Sequence, residues 1–292
     1  MGKPMTGIIG VLDLKRPGVK LLYWAVFAIM IGVSLLCLLP PLWIMLSSLK
    51  DVKEFFTIPP TIIPQTLDLS KIVSTWKLLD FGRLYLNTFI MTAGCLLFAL
   101  VFNGLLGYFL SKLRPRGSSF IFGMVLWTML LPNTLGMVPI FKNIIDFPVL
   151  HINFSNTFWP MWMMIGANAF YVIVFKGFFD NIPHALVEAA RIDGCSLLGI
   201  FWRIVLPLSK PVMMAITIFT IQATWSDFFW PYMVLKDQSL WTVIVAIFNL
   251  KGTTTLDIQF VALTFSIIPP AILFLFFQKY IMQGFTFSGI KG

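Results

Sequence analysis

The chain has 292 residues, 58% of them hydrophobic and 11% charged, with a mean hydropathy of +0.89. A water-soluble domain carries roughly 25% charged residues, so this composition excludes a soluble enzyme, and its apolar content excludes a disordered tail. In so apolar a chain the net charge of +9 points to membrane orientation rather than to a nucleic-acid partner. Cys37, Cys95 and Cys195 stand far apart among apolar neighbours, with no disulfide framework and no metal-ligand spacing.

Crossing the roughly 30 Å hydrocarbon layer takes about 20 helical residues. After a segment 1–20, six charge-poor stretches meet that length, at about 21–48, 85–111, 117–141, 153–176, 209–231 and 258–280. They are continuous apolar runs without alternation, which favours helices over a barrel. The expected fold is an all-α integral membrane protein with six transmembrane helices in a single domain over 21–292. Six spans place both termini on one side. The first 20 residues, the 112–116 turn, the segment 176–210 and the tail together hold 13 Lys and Arg against 4 Asp and Glu, whereas the rest holds 8 of each. The positive-inside rule makes the first set cytoplasmic, both termini included. The first apolar run has no small-residue cleavage site after a short core and is expected to be a retained span, not a signal peptide.

Outside, residues 50–83 contain Pro59, Pro60 and Pro64, then Trp76, Leu78, Leu79 and Phe81. That order predicts an extended segment leading into a short amphipathic helix at the membrane surface. Residues 251–255 (Lys-Gly-Thr-Thr-Thr) read as an exposed loop. Pro40, Pro41, Pro132, Pro139, Pro160, Pro269 and Pro270 are expected to kink helices or mark their ends.

The cytoplasmic stretch 180–208 differs in kind. Asp180 or Asn181 is suited to cap a helix, Pro183 to its first turn, and Gly194 to a left-handed end. Ser196 then caps a second short helix that Pro207 ends, and Ser209 with Pro211 reads as the start of the fifth span. Small Ala189 and Ala190 beside Glu188 allow close approach of another protein and an ion pair with its arginine. An ordinary connector packed on its own bundle fits those residues equally well.

The spacing adds a resemblance. Glu188-Ala189-Ala190, then Gly194, Ile204, Leu206 and Pro207 match the EAA motif of ABC importer permeases at every fixed position. Pro41-Leu42-Trp43, Ser48-Leu49-Lys50, Asn87-Thr88, Trp225–Pro231, Gln278-Lys279-Tyr280, Gly284 and the tail Gly289-Ile290-Lys291-Gly292 extend the similarity to the maltose-type carbohydrate branch of these type I importers. Ser226 stands where that branch usually has Asn, and Phe285–Ser288 is bulkier than its small-residue tail. The resemblance implies a permease subunit in a bacterial inner or plasma membrane, pairing with a second, related permease as a heterodimer. Two ATP-binding cassette subunits and an extracytoplasmic sugar-binding protein are the further implied partners. Glu188, Ala189, Ala190, Gly194, Ile204, Leu206 and Pro207 are then the residues coupling to the ATPase. The chain lacks a Walker A pattern, so ATP and Mg are expected on the ATPase partners, with no cofactor, metal or catalytic residue here.

Asn133, Asn168, Gln222, Trp225 and Asp227 are candidates for lining a sugar pathway, with Thr134 and Thr224, because sugars are bound by aromatic faces and hydrogen bonds. Asp227, the only acid within a span, fits a hydrated interface position as well; Asn168 and Gln222 fit interhelical hydrogen bonding. No Lys or Arg lies in the interior of a span, which favours a neutral sugar. The alternative class is a stand-alone secondary transporter, which calls for internal repeats and buried ionisable couplers; no repeat is evident. An enzyme is disfavoured because His151 and His184, the two histidines, fall on opposite sides of the membrane.

Overall fold

The computed structural model describes residues 16–59 and 61–287, without the side chains of Asn133 and of residues 279–287. Most of the expected N-terminal segment, Pro60 and the tail Gly289-Ile290-Lys291-Gly292 lie outside the described residues. In chain order the helices are α1 (Pro17–Ser47), α2 (Ser70–Leu78), α3 (Phe81–Leu113), α4 (Ser118–Leu130), α5 (Met137–Ile145), α6 (Trp159–Gly166), α7 (Ala169–Asp180), α8 (His184–Ile192), α9 (Leu197–Leu208), α10 (Lys210–Trp225), α11 (Phe229–Val234), α12 (Val243–Leu250) and α13 (Leu256–Phe287). Among the described residues there is no strand, only an isolated bridge between Phe147 and Ile152.

Three helices are individually long and apolar enough to cross a bilayer: α1, α3 and the Leu256–Gln278 part of α13. Three more spans arise only if each of three bent pairs counts as one. The middle of the chain is bent: α4 and α5 are interrupted at Pro132, as its chemistry suggested, while α6 and α7 meet at 43° and α9 and α10 at 80°. The fifth apolar stretch also ends early. With 16 residues, α10 is about 24 Å long, and the chain resumes as α11 after Ser226–Phe228. Pro160 sits in the first turn of α6, as its chemistry favours. Pro40, Pro41, Pro269 and Pro270 instead lie inside α1 and α13, which run on through them.

The chain forms two compact units. The first comprises residues 1–73 and 254–265. In it α1 is apolar on all sides and no residue of its most hydrophobic window is buried. The following segment is not merely extended, as its prolines suggested, but knotted around buried polar groups and includes a 3-10 turn, Val52–Phe56. Glu54 accepts the backbone N–H of Gln65 at 3.0 Å and of Thr66 at 3.3 Å, and the Thr61 hydroxyl at 3.2 Å. The Gln65 amide foremost, against burial and with Thr66 and Thr61 adding, holds the Glu54 carboxyl below its ordinary value. Lys50 donates to the Thr61 carbonyl and lies over the Trp43 ring at 4.2 Å; Lys71 donates to the Lys50 carbonyl, with Asp257 at 4.0 Å.

The second unit comprises residues 74–253 and 266–292. One core of this unit joins Tyr108 of α3, Tyr171, Phe175 and Phe179 of α7, Val187 and Ala190 of α8, Ile200, Phe201 and Val205 of α9, and Val212 and Ile216 of α10. Helices α3 and α7 approach closely because glycines face Phe175: a Cβ on Gly107 would stand 2.7 Å from that of Phe175. Small residues at such crossings are how helices associate in a medium as apolar as their own side chains. A second cluster gathers Met91 and Cys95 of α3, Ile144 of α5, Met161 of α6, and Val234 and Leu235.

Candidate functional site

Helix α8 and the turn after it form an exposed elbow. Backbone N–H of Cys195 donates to Ala190 O at 2.9 Å and that of Gly194 to Arg191 O at 3.0 Å. This 6→1 and 5→2 pair is the Schellman arrangement, and it needs a left-handed residue at its end. Gly194 supplies it with φ +77, and open space surrounds the position where a Cβ would be. The glycine is thus required by backbone conformation, not by crowding. Ser196 then accepts Gly199 N–H at 3.1 Å and starts α9, as expected. Other capping expectations do not hold. Asp180 is the last residue of α7 and is engaged elsewhere, so α8 begins at His184 with Pro183 as its N-cap. Ser209 donates its hydroxyl back to Val205 O at 2.5 Å and leaves the start of α10 without a side-chain cap. Pro207 lies within the last turn of α9.

The motif residues separate into two faces. Val187 and Ala190 are 4% and 5% exposed and pack into the bundle, while Glu188 and Ala189 face outward. Only one of the two alanines is therefore available for close approach by another protein; the other lets α8 sit down on Ile200, Phe201 and their neighbours. Ile204 and Leu206 pack partly against the same core, and Pro207 is exposed. The exposed face of α8 and the start of α9 mixes apolar Leu186, Ile192 (87% exposed), Leu197 and Leu198 with the charged Glu188, Arg191 and Asp193. A mixed apolar and charged surface of this kind suits a protein partner. Periodicity along α8 was sufficient to single out Ile192, which the motif does not include.

The root of α8 is held by groups that carry no motif. Lys112, 6% exposed at the end of α3, donates to Ile182 O at 2.5 Å. The Asp180 carboxylate takes Ser111 Oγ at 2.7 Å, Lys176 Nζ at 2.7 Å and Arg114 Nη2 at 3.2 Å. Their sequence signal was only the charge density of the 112–116 turn and of the stretch after residue 176.

The pathway candidates are engaged in different ways. Trp225 is 8% exposed and donates Nε1–H to Ser266 O at 3.2 Å. Thr224 is buried and hydrogen-bonds Thr220 O at 2.8 Å. Asn168 caps α7, accepting Tyr171 N–H at 3.1 Å, while its own N–H donates to Asn103 Oδ1 at 3.0 Å. Asn103, fully buried, also donates to Ile165 O at 2.9 Å and so repairs the break between α6 and α7. The half-buried Asp227 carboxylate is directed at the N–H groups of Phe229 and Trp230, where α11 begins. Gln222 and Thr134 are exposed. Asn133 opens a 3-10 turn, and its side chain is outside the described residues. Among the described residues no group of three His, Cys, Asp or Glu is placed to hold a metal.

Residues 103–286, which include the whole elbow, match the family model described as binding-protein-dependent transport system inner membrane component. The chain belongs to that family. As a member of this permease family it is a non-catalytic membrane component of a transport system. It is similar to the arabinooligosaccharides transport system permease protein AraQ of Bacillus subtilis (strain 168), with 31% identity over 270 residues covering 89% of this chain and 92% of that one. The melibiose/raffinose/stachyose import permease protein MelC of the same organism is 29% identical over 259 residues, covering 86% and 91%. A solved structure of a bacterial ABC transporter involved in the import of the acidic polysaccharide alginate superposes with a TM-score of 0.77 at 25% identity, covering 91% of this permease and 98% of the compared chain.

Proposed function

We propose that this permease is one of two related transmembrane subunits of an ATP-driven importer of oligosaccharides. The observation that carries the reading is the elbow: α8 ends abruptly at left-handed Gly194 and turns Glu188, Ala189 and Ile192 outward. A short exposed helix that presents apolar side chains beside Glu188, Arg191 and Asp193 is a fitting lever for an ATPase subunit. The family description names a binding protein as a requirement of the transport system, so an extracytoplasmic binding protein is the expected donor of the sugar. ATP and Mg belong to the two ATPase subunits.

In this reading the permease is one transmembrane domain over 21–292 with six spans, three of them the bent pairs, and both termini in the cytoplasm. ATP binding closes the ATPase dimer and moves α8 as a unit, so that the bundle passes between inward-open and outward-open states, an equilibrium biased by nucleotide and by the loaded binding protein. Glu188 orients the joint, Ala189 permits close approach, and Ala190 seats α8 on its own bundle. Ile204, Leu206 and Pro207 brace α9 against α10. The names of the relatives support a carbohydrate cargo. Of the pathway candidates Gln222 and Asp227 best fit a sugar route, while Trp225, Thr224 and Asn168 serve packing and the helix break.

The test is reconstitution of this chain with its partner permease and ATPase subunits in lipid vesicles. Sugar-loaded binding protein is expected to stimulate ATP hydrolysis, and Glu188→Ala to abolish the stimulation while the complex remains assembled. Ion-driven uptake by the isolated chain, with no ATPase bound, would overturn the reading.

A further inference from the structure

We propose that Lys112 is a positioning residue that locks the coupling helix to the transmembrane bundle, so that a movement of α8 is carried into α3 and α7 together. The proposal rests on the permease reading above and adds to it the route by which the lever acts.

The geometry is a double attachment made by one turn of helix. Ser111 and Lys112 are neighbours in the last turn of α3. Ser111 donates to Asp180, the end of α7, and Lys112 donates to the carbonyl of Ile182, two residues before α8 begins. Lys176 and Arg114 close the other sides of the Asp180 carboxylate at 2.7 and 3.2 Å.

The linker between the two attachments has little freedom. Ile182 N–H donates to Phe179 O at 3.0 Å, Asn181 Nδ2 donates to Gly177 O at 2.8 Å, and the ring of Pro183 fixes its own φ. Three helices are thereby pinned at one point.

The choice of residue is informative. A buried carbonyl needs a donor, but a hydroxyl or a water supplies one without burying a charge. A buried ammonium has a different mechanical consequence: drawing α8 away from α3 strips Lys112, 6% exposed, of its carbonyl acceptor before the surrounding packing opens to solvent. Separation is therefore resisted far more steeply than by the apolar contacts of Val187 and Ala190, which are able to slide. Among the described residues, this point joins the root of α8 to two spans through charged groups.

The experiment uses the full complex in lipid nanodiscs with Cys37, Cys95 and Cys195 replaced by serine and spin labels at Arg116 and Ala185, both exposed. In the otherwise unaltered complex the label separation is expected to be the same with and without ATP, because α8 and the end of α3 move as one body. In Lys112→Met the separation is expected to broaden or shift on ATP binding. Stimulation of hydrolysis by a binding protein loaded with an arabinooligosaccharide mixture should fall about tenfold while basal hydrolysis persists. Lys112→Arg, which restores a charged donor, should recover the narrow separation. An unchanged separation with full stimulation in Lys112→Met overturns the proposal. Should that variant fail to assemble, Asp180→Asn is judged by the same two readouts, and failure of both to assemble makes these residues folding determinants and also overturns it. A complex with native Lys112 that binds no ATPase removes the permease reading itself, an outcome distinct from the others.

Discussion

Adding one methyl group to the α3–α7 crossing tests the packing at its tightest point. Gly104 and Gly107 lie one turn apart on α3, both buried and both facing Phe175. A Cβ on Gly104 would meet the Phe175 ring at 3.7 Å, an ordinary contact. On Gly107 it would stand 2.7 Å from Phe175 Cβ and 3.1 Å from Lys176 N, atoms that cannot move without the backbone of α7. Replacing a mid-helix glycine by alanine gains about 0.5–1 kcal/mol of backbone entropy. At Gly104 nothing opposes that gain, so Gly104→Ala should leave stability unchanged or raise it by up to about 1 kcal/mol. At Gly107 the helices must part by close to an ångström, at an overpacking cost of about 1–3 kcal/mol. Gly107→Ala should therefore be the less stable of the two by roughly 1–3 kcal/mol, a difference of several degrees in unfolding temperature. The assay is thermal loss of monodisperse protein in detergent, with both variants heated side by side. A Gly107→Ala protein as stable as Gly104→Ala would refute the close crossing.

Other consequences follow from the same geometry. Gly194→Ala places a side chain at φ +77, at a cost of about 1–2 kcal/mol, and should reduce binding-protein-stimulated ATP hydrolysis; Gly194→Asn, which tolerates that region better, should be milder, and equal behaviour of the two would contradict the backbone argument. The Glu54 carboxyl lies below its ordinary value of 4.5 through the Gln65 amide above all. Its contribution is thus complete above about that pH and is lost as pH falls through the lower folded value. Protection of the Gln65 and Thr66 amides, as exchange relative to the intrinsic rate at each pH, should be high at neutral pH, fall on acidification below 4.5, and be low at neutral pH in Glu54→Gln; pH-independent protection would count against the knot. Trp225→Phe removes the bond to Ser266 and should cost about 1 kcal/mol of stability with KM for the transported sugar unchanged. A raised KM would return Trp225 to the pathway.

The sequence was most informative where local chemistry dictates backbone. Gly194 and Ser196 announce a left-handed helix end and a new cap, and both occur as read. Apolar length located the long helices α1, α3 and α13. The other stretches are apolar helix too, but bent, and composition reports how apolar a segment is and not whether it is straight. The α6–α7 break is stabilised by Asn103, 65 residues from Asn168 in sequence, and no local pattern reveals such a pairing. The same limit hid the root of α8: Asp180 looked like a cap because nothing nearby in sequence shows that Ser111 and Arg114 claim its carboxylate. Trp225 and Asn168 have the chemistry of sugar ligands, and the sequence does not show that the Trp225 indole also bonds the Ser266 carbonyl or that the Asn168 amide also caps α7. The alanine pair shows a further limit: the sequence treats the two alike, and only the three-dimensional fold distinguishes the outward Ala189 from the buried Ala190.

That distinction offers the most direct test of the coupling account. Single cysteines placed at Ala189, Ala190 and Val187, in a chain lacking Cys37, Cys95 and Cys195, are to be cross-linked within the assembled complex. The account predicts a strong cross-link from position 189 to an ATPase subunit, changing with nucleotide, and none from positions 187 and 190, which face the permease's own core. Cross-links from 187 or 190 in place of 189, or none from any position in a complex that hydrolyses ATP, would contradict docking through the outer face of α8.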